Sequence, residues 1–218
     1  MAERFDLIVF DWDGTLMDSA AAIVRAILAA CRDLGLPEPS EERARYVIGL
    51  GLGDALRHAV PDLGAEDYPR MVERYRHHYL ASDHELTLFP GVPEMMGWLS
   101  GQGKMLAVAT GKSRVGLDRA LSHSGLGAYF HATRCADECF SKPHPAMLEE
   151  LMDELGVERD RTLMIGDTTH DLLMAKNAGV AGLAVGFGAH PREALESELP
   201  LAFVDTPGAL DRWLRANV

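Results

Sequence analysis

Short unbroken apolar runs alternate along the chain with longer stretches in which apolar residues recur every third or fourth position. FDLIVF (residues 5–10), MLAVA (105–109), TLMI (162–165) and the run over 180–185 are each bounded by charge or turn residues. Runs this short, without polar alternation, predict strands buried on both faces. Between them, Val92, Met95, Met96 and Leu99 follow the i, i+3, i+4, i+7 spacing of one helix face. Met147, Leu148, Leu151, Met152 and Leu155 make a second such stripe. Strands alternating with helices predict an α/β fold, a Rossmann-like parallel sheet with helices on both faces. Its ligand crevice should lie at the carboxyl ends of the strands.

One stretch breaks the alternation. Residues 17–85 contain helix-period segments and no convincing strand: Ile23, Ile27, Ala30 and Leu34 form a stripe closed by Gly35 and Pro37, and a further helix is predicted over 66–80. The chain therefore divides into an α/β core, residues 1–16 and 86–218, and an inserted all-helical cap, residues 17–85. The cap returns to the core near Phe89-Pro90-Gly91.

Composition adds exclusions. A formal charge of −12 argues against non-specific nucleic-acid binding, which needs lysine and arginine to neutralise phosphates. It does not exclude an anionic substrate, because a bound cation inverts the local field. No apolar run approaches the ~20 residues that span a bilayer, so no membrane partner is expected. The opening MAERFDLIVFDWDGTL carries acids within its first apolar stretch and does not read as a secretory leader. Three cysteines, Cys31, Cys135 and Cys139, are expected to be reduced, and the compartment to be the cytoplasm. Nothing in the chain selects an oligomeric state.

Candidate chemistry collects where strands are predicted to end. The first runs into Asp11-Trp12-Asp13-Gly14-Thr15, a pattern whose chance occurrence is on the order of one in a few hundred for a chain this long. Thr110-Gly111-Lys112 follows the second, offering a hydroxyl and free N–H groups to phosphate oxygens. Lys142 lies in a proline-stiffened loop, Ser141-Lys142-Pro143-His144-Pro145. Gly166-Asp167-Thr168-Thr169-His170-Asp171 follows a third strand, placing two acids near the first pair, where a hard cation could sit. Each piece alone is an ordinary turn, cap or solvated charge; four in one chain are not.

In their order and across almost the whole chain, these four segments resemble the motifs of haloacid dehalogenase-type hydrolases. The helical insertion is similar to that family's cap. The re-entry segment and the Lys-Pro-x-Pro loop resemble those of its phosphoglycolate phosphatase-like members. The resemblance implies a sheet in the order 5-4-1-2-3 and a phosphatase acting on a small phosphorylated metabolite with Mg2+. It implies Asp11 as nucleophile and Asp13 as acid and base, with Thr110, Gly111 and Lys142 on the phosphoryl oxygens. The metal would be held by Asp11, the Asp13 main-chain carbonyl and Asp167, with Asp171 acting behind them. Asp13 also separates phosphoryl chemistry from true dehalogenation, which by resemblance lacks the second acid.

For the rest of the substrate, Arg45 and Arg57 on the cap and Lys112 and Arg114 on the core are candidate anion partners. Gly49-Leu50-Gly51-Leu52-Gly53 is expected to be a cap loop facing the site. A phosphoglycolate-like substrate leads. A sugar phosphomutase or pyrophosphatase shares every motif, and a non-catalytic binding protein on the same fold is the reading of another class. The nine histidines are scattered and do not predict a zinc site; His144 and His170 are the two that sit within motif loops.

Overall fold

The computed structural model describes residues 5–218. Six strands form one parallel sheet: β1 (Leu7–Phe10), β2 (Met105–Thr110), β3 (Ala132–Cys135), β4 (Thr162–Gly166), β5 (Ala181–Val185) and β6 (Ala202–Val204). Their spatial order is β3-β2-β1-β4-β5-β6. Five of them stand as expected, and the sixth extends the sheet beyond β5. β1 lies at the centre, paired with β2 and β4, and all four of its residues are buried.

The pleat explains why an unbroken apolar run is needed there. Ile8 and Phe10 face one layer, with α5 (Val92–Gly101), α6 (Arg114–Ser124) and α10 (Pro207–Asn217). Leu7 and Val9 face the other, with α7 (Ala146–Leu155) and α8 (Thr169–Ala178). The stripes at Val92–Leu99 and Met147–Met152 are the surfaces those helices bury. A short helix, α9 (Arg192–Ser197), joins β5 to β6.

Between β1 and α5 lie α1 (Ala20–Leu34), α2 (Glu41–Tyr46), α3 (Leu52–Ala59) and α4 (Tyr68–Ser82). They surround a hydrophobic cluster of their own, built on Ile23, Ile27, Ala30, Val47, Leu56 and Met71. Gly35 ends α1 in the left-handed conformation, φ 67°, as its position predicts. The fourth helix begins two residues later than expected because Pro69 occupies its first turn, where a missing N–H costs nothing. The two connections to the sheet run side by side: Asp18 N–H donates to Thr87 O (3.0 Å) and Phe89 N–H to Leu16 O (2.9 Å). Among the described residues no helix is long and apolar enough to cross a membrane.

Candidate active site

The parallel register brings the ends of β1, β2 and β4 level, so their loops share one crevice beneath the inserted helices. Asp11 N–H donates to Ile165 O (2.9 Å), which ties the Asp11 loop to the loop carrying Asp167. Asp11, Asp167 and Asp171 are wholly buried, and one carboxylate oxygen from each lies within 4.8 Å of the others. Gly14 lets the Asp11 loop turn back at φ 84°, with Asp167 packed where a side chain would stand.

Each acid is held differently. Asp167 accepts from Thr15 Oγ1 (2.8 Å) and from the Ala189 N–H (2.7 Å). Asp171 closes a capping box at the start of α8: Thr168 N–H and Oγ1 donate to its Oδ2 at 3.1 and 2.6 Å. Its Oδ1 is left facing the Lys142 ammonium, 2.6 Å away. That ammonium also lies 2.7 Å from Asp11 Oδ1. These are charge contacts; neither Asp11 oxygen receives a hydrogen bond of acceptable angle from a described residue.

The electrostatics follow from one ammonium among three carboxylates. Burial pushes the Asp11 carboxyl well above its ordinary range; Lys142 opposes this, while Asp171 and Asp167 reinforce it. Burial, reinforced by Asp171, raises Asp167 to about 7 against the pull of its two donors. Burial disfavours the Lys142 ammonium, yet Asp11 and Asp171 outweigh that and hold it charged.

Asp13 points away from this triad. Its Oδ1 accepts from Ser19 Oγ (2.7 Å), and Lys112 Nζ donates to Oδ1 and Oδ2 at 3.1 and 3.2 Å. Lys112 also donates to the Tyr79 hydroxyl (2.9 Å), reaching across to α4. Thr110 ends β2 fully buried, its Oγ1 accepting from Lys112 N–H (3.2 Å). The Gly49 and Leu50 carbonyls pack against Gly111 so closely that a Cβ there would collide with them. Gly51 N–H donates to Ser141 Oγ (2.8 Å), so the glycine-rich loop does seat on the crevice.

Two of the candidate arginines are engaged outside the crevice. Arg45 pairs with Glu41 one turn away on its own helix (3.3 Å), and Arg114 pairs with Glu138 (2.7 Å) and Asp118 (3.1 Å). Neither lines the cavity above Asp13, whereas Arg57 and Lys112 do. The Asp13 carboxylate stands outside the acid triad, on the side away from the expected metal position. His144 is exposed and stacks on Phe140 with ring centroids 4.5 Å apart.

Sequence reading missed the groups that fix these side chains, Thr15, Ser19, Tyr79 and the Ala189 amide, and it missed His190, which pairs with His170. His170 and His190 both reach the Tyr46 carbonyl, at 2.8 and 3.0 Å, joining α2 to the core. Thr169 N–H donates to His190 Nδ1 (3.1 Å), so His190 carries its proton on Nε2. Burial lowers both rings' pKa, His190 to about 4, which keeps this clasp neutral. Cys31, Cys135 and Cys139 are free thiols.

Comparison with known proteins agrees with this geometry. Residues 8–185 match the haloacid dehalogenase-like hydrolase family. The chain is 39% identical to the probable phosphatase IndB of Dickeya dadantii, covering 92% of this chain and 89% of that one. It is 33% identical to a phosphoglycolate phosphatase of Vibrio parahaemolyticus, covering 89% of each. The crystal structure of a predicted phosphoglycolate phosphatase from Haemophilus somnus superposes with a TM-score of 0.86 at 26% identity, covering 98% of this chain and 100% of that one. With the family matched over most of its length, the chain belongs to the haloacid dehalogenase-like hydrolases, and phosphatases are among its relatives.

Proposed function

We propose that the protein is a magnesium-dependent phosphomonoesterase that works through an aspartyl phosphate on Asp11. The observation that carries this is Asp11 itself: buried, aligned by β1, set against Lys142, with its Oδ2 unclaimed by any described residue. The three buried carboxylates suit a hard dication, since one ammonium leaves them with excess negative charge and their donors are all oxygen. Asp11 and Asp167 would hold the ion with the Asp13 carbonyl, and Asp171 would stand behind them; the ion supplies charge neutralisation of the phosphoryl oxygens.

In the first step Asp11 forms a bond to phosphorus as the ester oxygen leaves. Asp13, held on the cavity side by Ser19 and Lys112, gives that oxygen its proton. In the second step Asp13 takes a proton from water, whose oxygen bonds to phosphorus as Asp11 is released. Thr110 Oγ1, the Gly111 amide and Lys142 Nζ hold the phosphoryl oxygens, and positioning with electrostatics supplies most of the rate. Residues 17–85 act as the cap in this reading, opening about the paired connections near residues 16–19 and 85–90 to admit a small phosphorylated metabolite.

The test is phosphate release with and without Mg2+, on esters of graded leaving-group acidity. Asp13→Asn should lower turnover of an alkyl phosphate by about 10²–10⁴-fold but that of p-nitrophenyl phosphate far less, because nitrophenolate leaves without a proton. An equal loss on both esters would remove Asp13 from the acid role.

A second measurement reads the metal without turnover. Asp167 is protonated more readily in the folded than in the unfolded chain, so it favours the folded state at low pH. That contribution is lost as pH rises through about 7. A cation must displace the proton, so Mg2+ affinity should rise up to about tenfold per pH unit below that point. Thermal melts with and without Mg2+ should diverge from pH 6 to pH 8; a pH-independent shift would contradict the assignment.

A further inference from the structure

Above Asp13, between the inserted helices and the crevice, lies a cavity of about 860 Å³. Its volume falls towards the upper end of the ~300–1,000 Å³ typical of pockets for drug-sized ligands. Tyr68, Val72, Tyr75 and Tyr79 stand at i, i+4, i+7 and i+11 of α4 and present one continuous face to it. Ile23 and Ile27 of α1 complete that wall. The Tyr75 and Tyr79 rings stack with centroids 5.9 Å apart at 20°, and the Lys112 ammonium bound to Asp13 lies 4.8 Å from the Tyr79 centroid.

The charges around this cavity are mostly committed. Lys112 is bound to Asp13, Arg57 pairs with Asp54 (3.1 Å) while lying over the Tyr68 ring, and Arg119 pairs with Asp83. Arg76 has no ion pair among the described residues and lies exposed on α4. A two-carbon acid such as glycolate could draw on Lys112, shared with Asp13 and Tyr79, but would leave the tyrosine face wet. A large apolar alcohol needs no cation and dries that face on binding.

We propose that the tyrosine-walled cavity selects phosphate monoesters whose alcohol carries a bulky, mainly aromatic body, in preference to phosphoglycolate and other short acids. The proposal rests on the phosphatase reading for the position of the phosphoryl group; the selection itself rests on the cavity. Asp13 lines both, and the Lys112 ammonium, 4.8 Å from the Tyr79 centroid, links it to the tyrosine wall, so an ester oxygen at Asp13 directs its alcohol past Lys112 into the cavity.

The experiment compares kcat/KM for naphthylethyl phosphate, ethyl phosphate and phosphoglycolate with Mg2+. The first two are primary alkyl esters, so leaving-group acidity does not bias their comparison. Naphthylethyl phosphate should exceed both others by at least about tenfold. Val72→Trp, which fills the cavity, should shrink that ratio by a similar factor; Ile23→Phe replaces it if the tryptophan variant loses its melting transition. Equal rates or a preference for phosphoglycolate overturn the selection and leave the phosphatase reading intact. If no ester is hydrolysed, the phosphatase reading fails instead. Calorimetric binding of the esters to Asp11→Asn protein then decides the cavity, with tighter binding of naphthylethyl phosphate supporting it and equal or absent binding overturning it.

Discussion

Asp11→Asn protein will release phosphate at least about 10⁴-fold more slowly than wild type, the scale on which removal of a covalent nucleophile acts. That factor corresponds to about 5 kcal/mol of transition-state stabilisation. The amide keeps the carboxylate's shape, so the packing around β1 is undisturbed; what disappears is the oxygen that bonds to phosphorus. Stability should move the other way. Wild type buries three carboxylates against one ammonium, whereas the variant buries two, and Lys142 keeps its contact with Asp171. Without metal at pH 8, the variant should therefore melt no lower than wild type. A near wild-type rate would falsify the nucleophile assignment. A large fall in melting temperature would mean that Asp11 serves the fold through Lys142 rather than the chemistry.

The parts of the molecule legible from sequence share one property: their signal is local. Four strands are unbroken apolar runs because burial on both faces leaves no polar position. β3 and β6 escape that rule. They lie at the sheet edges: ATRC carries a partly exposed threonine and arginine in its middle, and AFV, though apolar, is only three residues long. Asp11, Lys142 and Asp167 are legible because strand ends followed by acids, or a lysine just ahead of two prolines, are unusual loops. Their supports are invisible for the opposite reason. Thr15 and Ser19 are common hydroxyls, and the Ala189 amide has no side-chain signature at all. The arginines show the remaining limit. A cation's residue type does not say which way it points, although Glu41 one helical turn from Arg45 and Asp118 one turn from Arg114 were partners already in view. Tyr68, Val72, Tyr75 and Tyr79 have the spacing of a core stripe, and only the space left beside them makes them a cavity wall.

Lys142→Met will cost more stability than any substitution on the surface, and the cost will depend on pH. The methionine retains most of the buried stem, so packing changes little and the lost ammonium dominates. Three carboxylates whose oxygens lie within 4.8 Å of each other then have no cation among them. Removing one partner of a buried ion pair costs about 3–5 kcal/mol, which for a chain of this size lowers the melting temperature by roughly 6–20 °C. The penalty belongs to the ionised carboxylates, and Asp11 and Asp167 already titrate above their ordinary range. Acidification towards pH 5 protonates them and removes the repulsion, so the deficit against wild type should be largest near pH 8 and shrink as pH falls. Added Mg2+ should narrow it at pH 8 by the same logic, because a cation among the acids replaces the missing charge. Turnover should stay low under those restored conditions, by about 10²–10³-fold, since the ammonium that holds the transferring phosphoryl group is gone. Thermal melts across pH, with and without Mg2+, separate the two roles. A deficit that ignores both variables would trace the loss to packing and dissolve the charge argument built on Lys142.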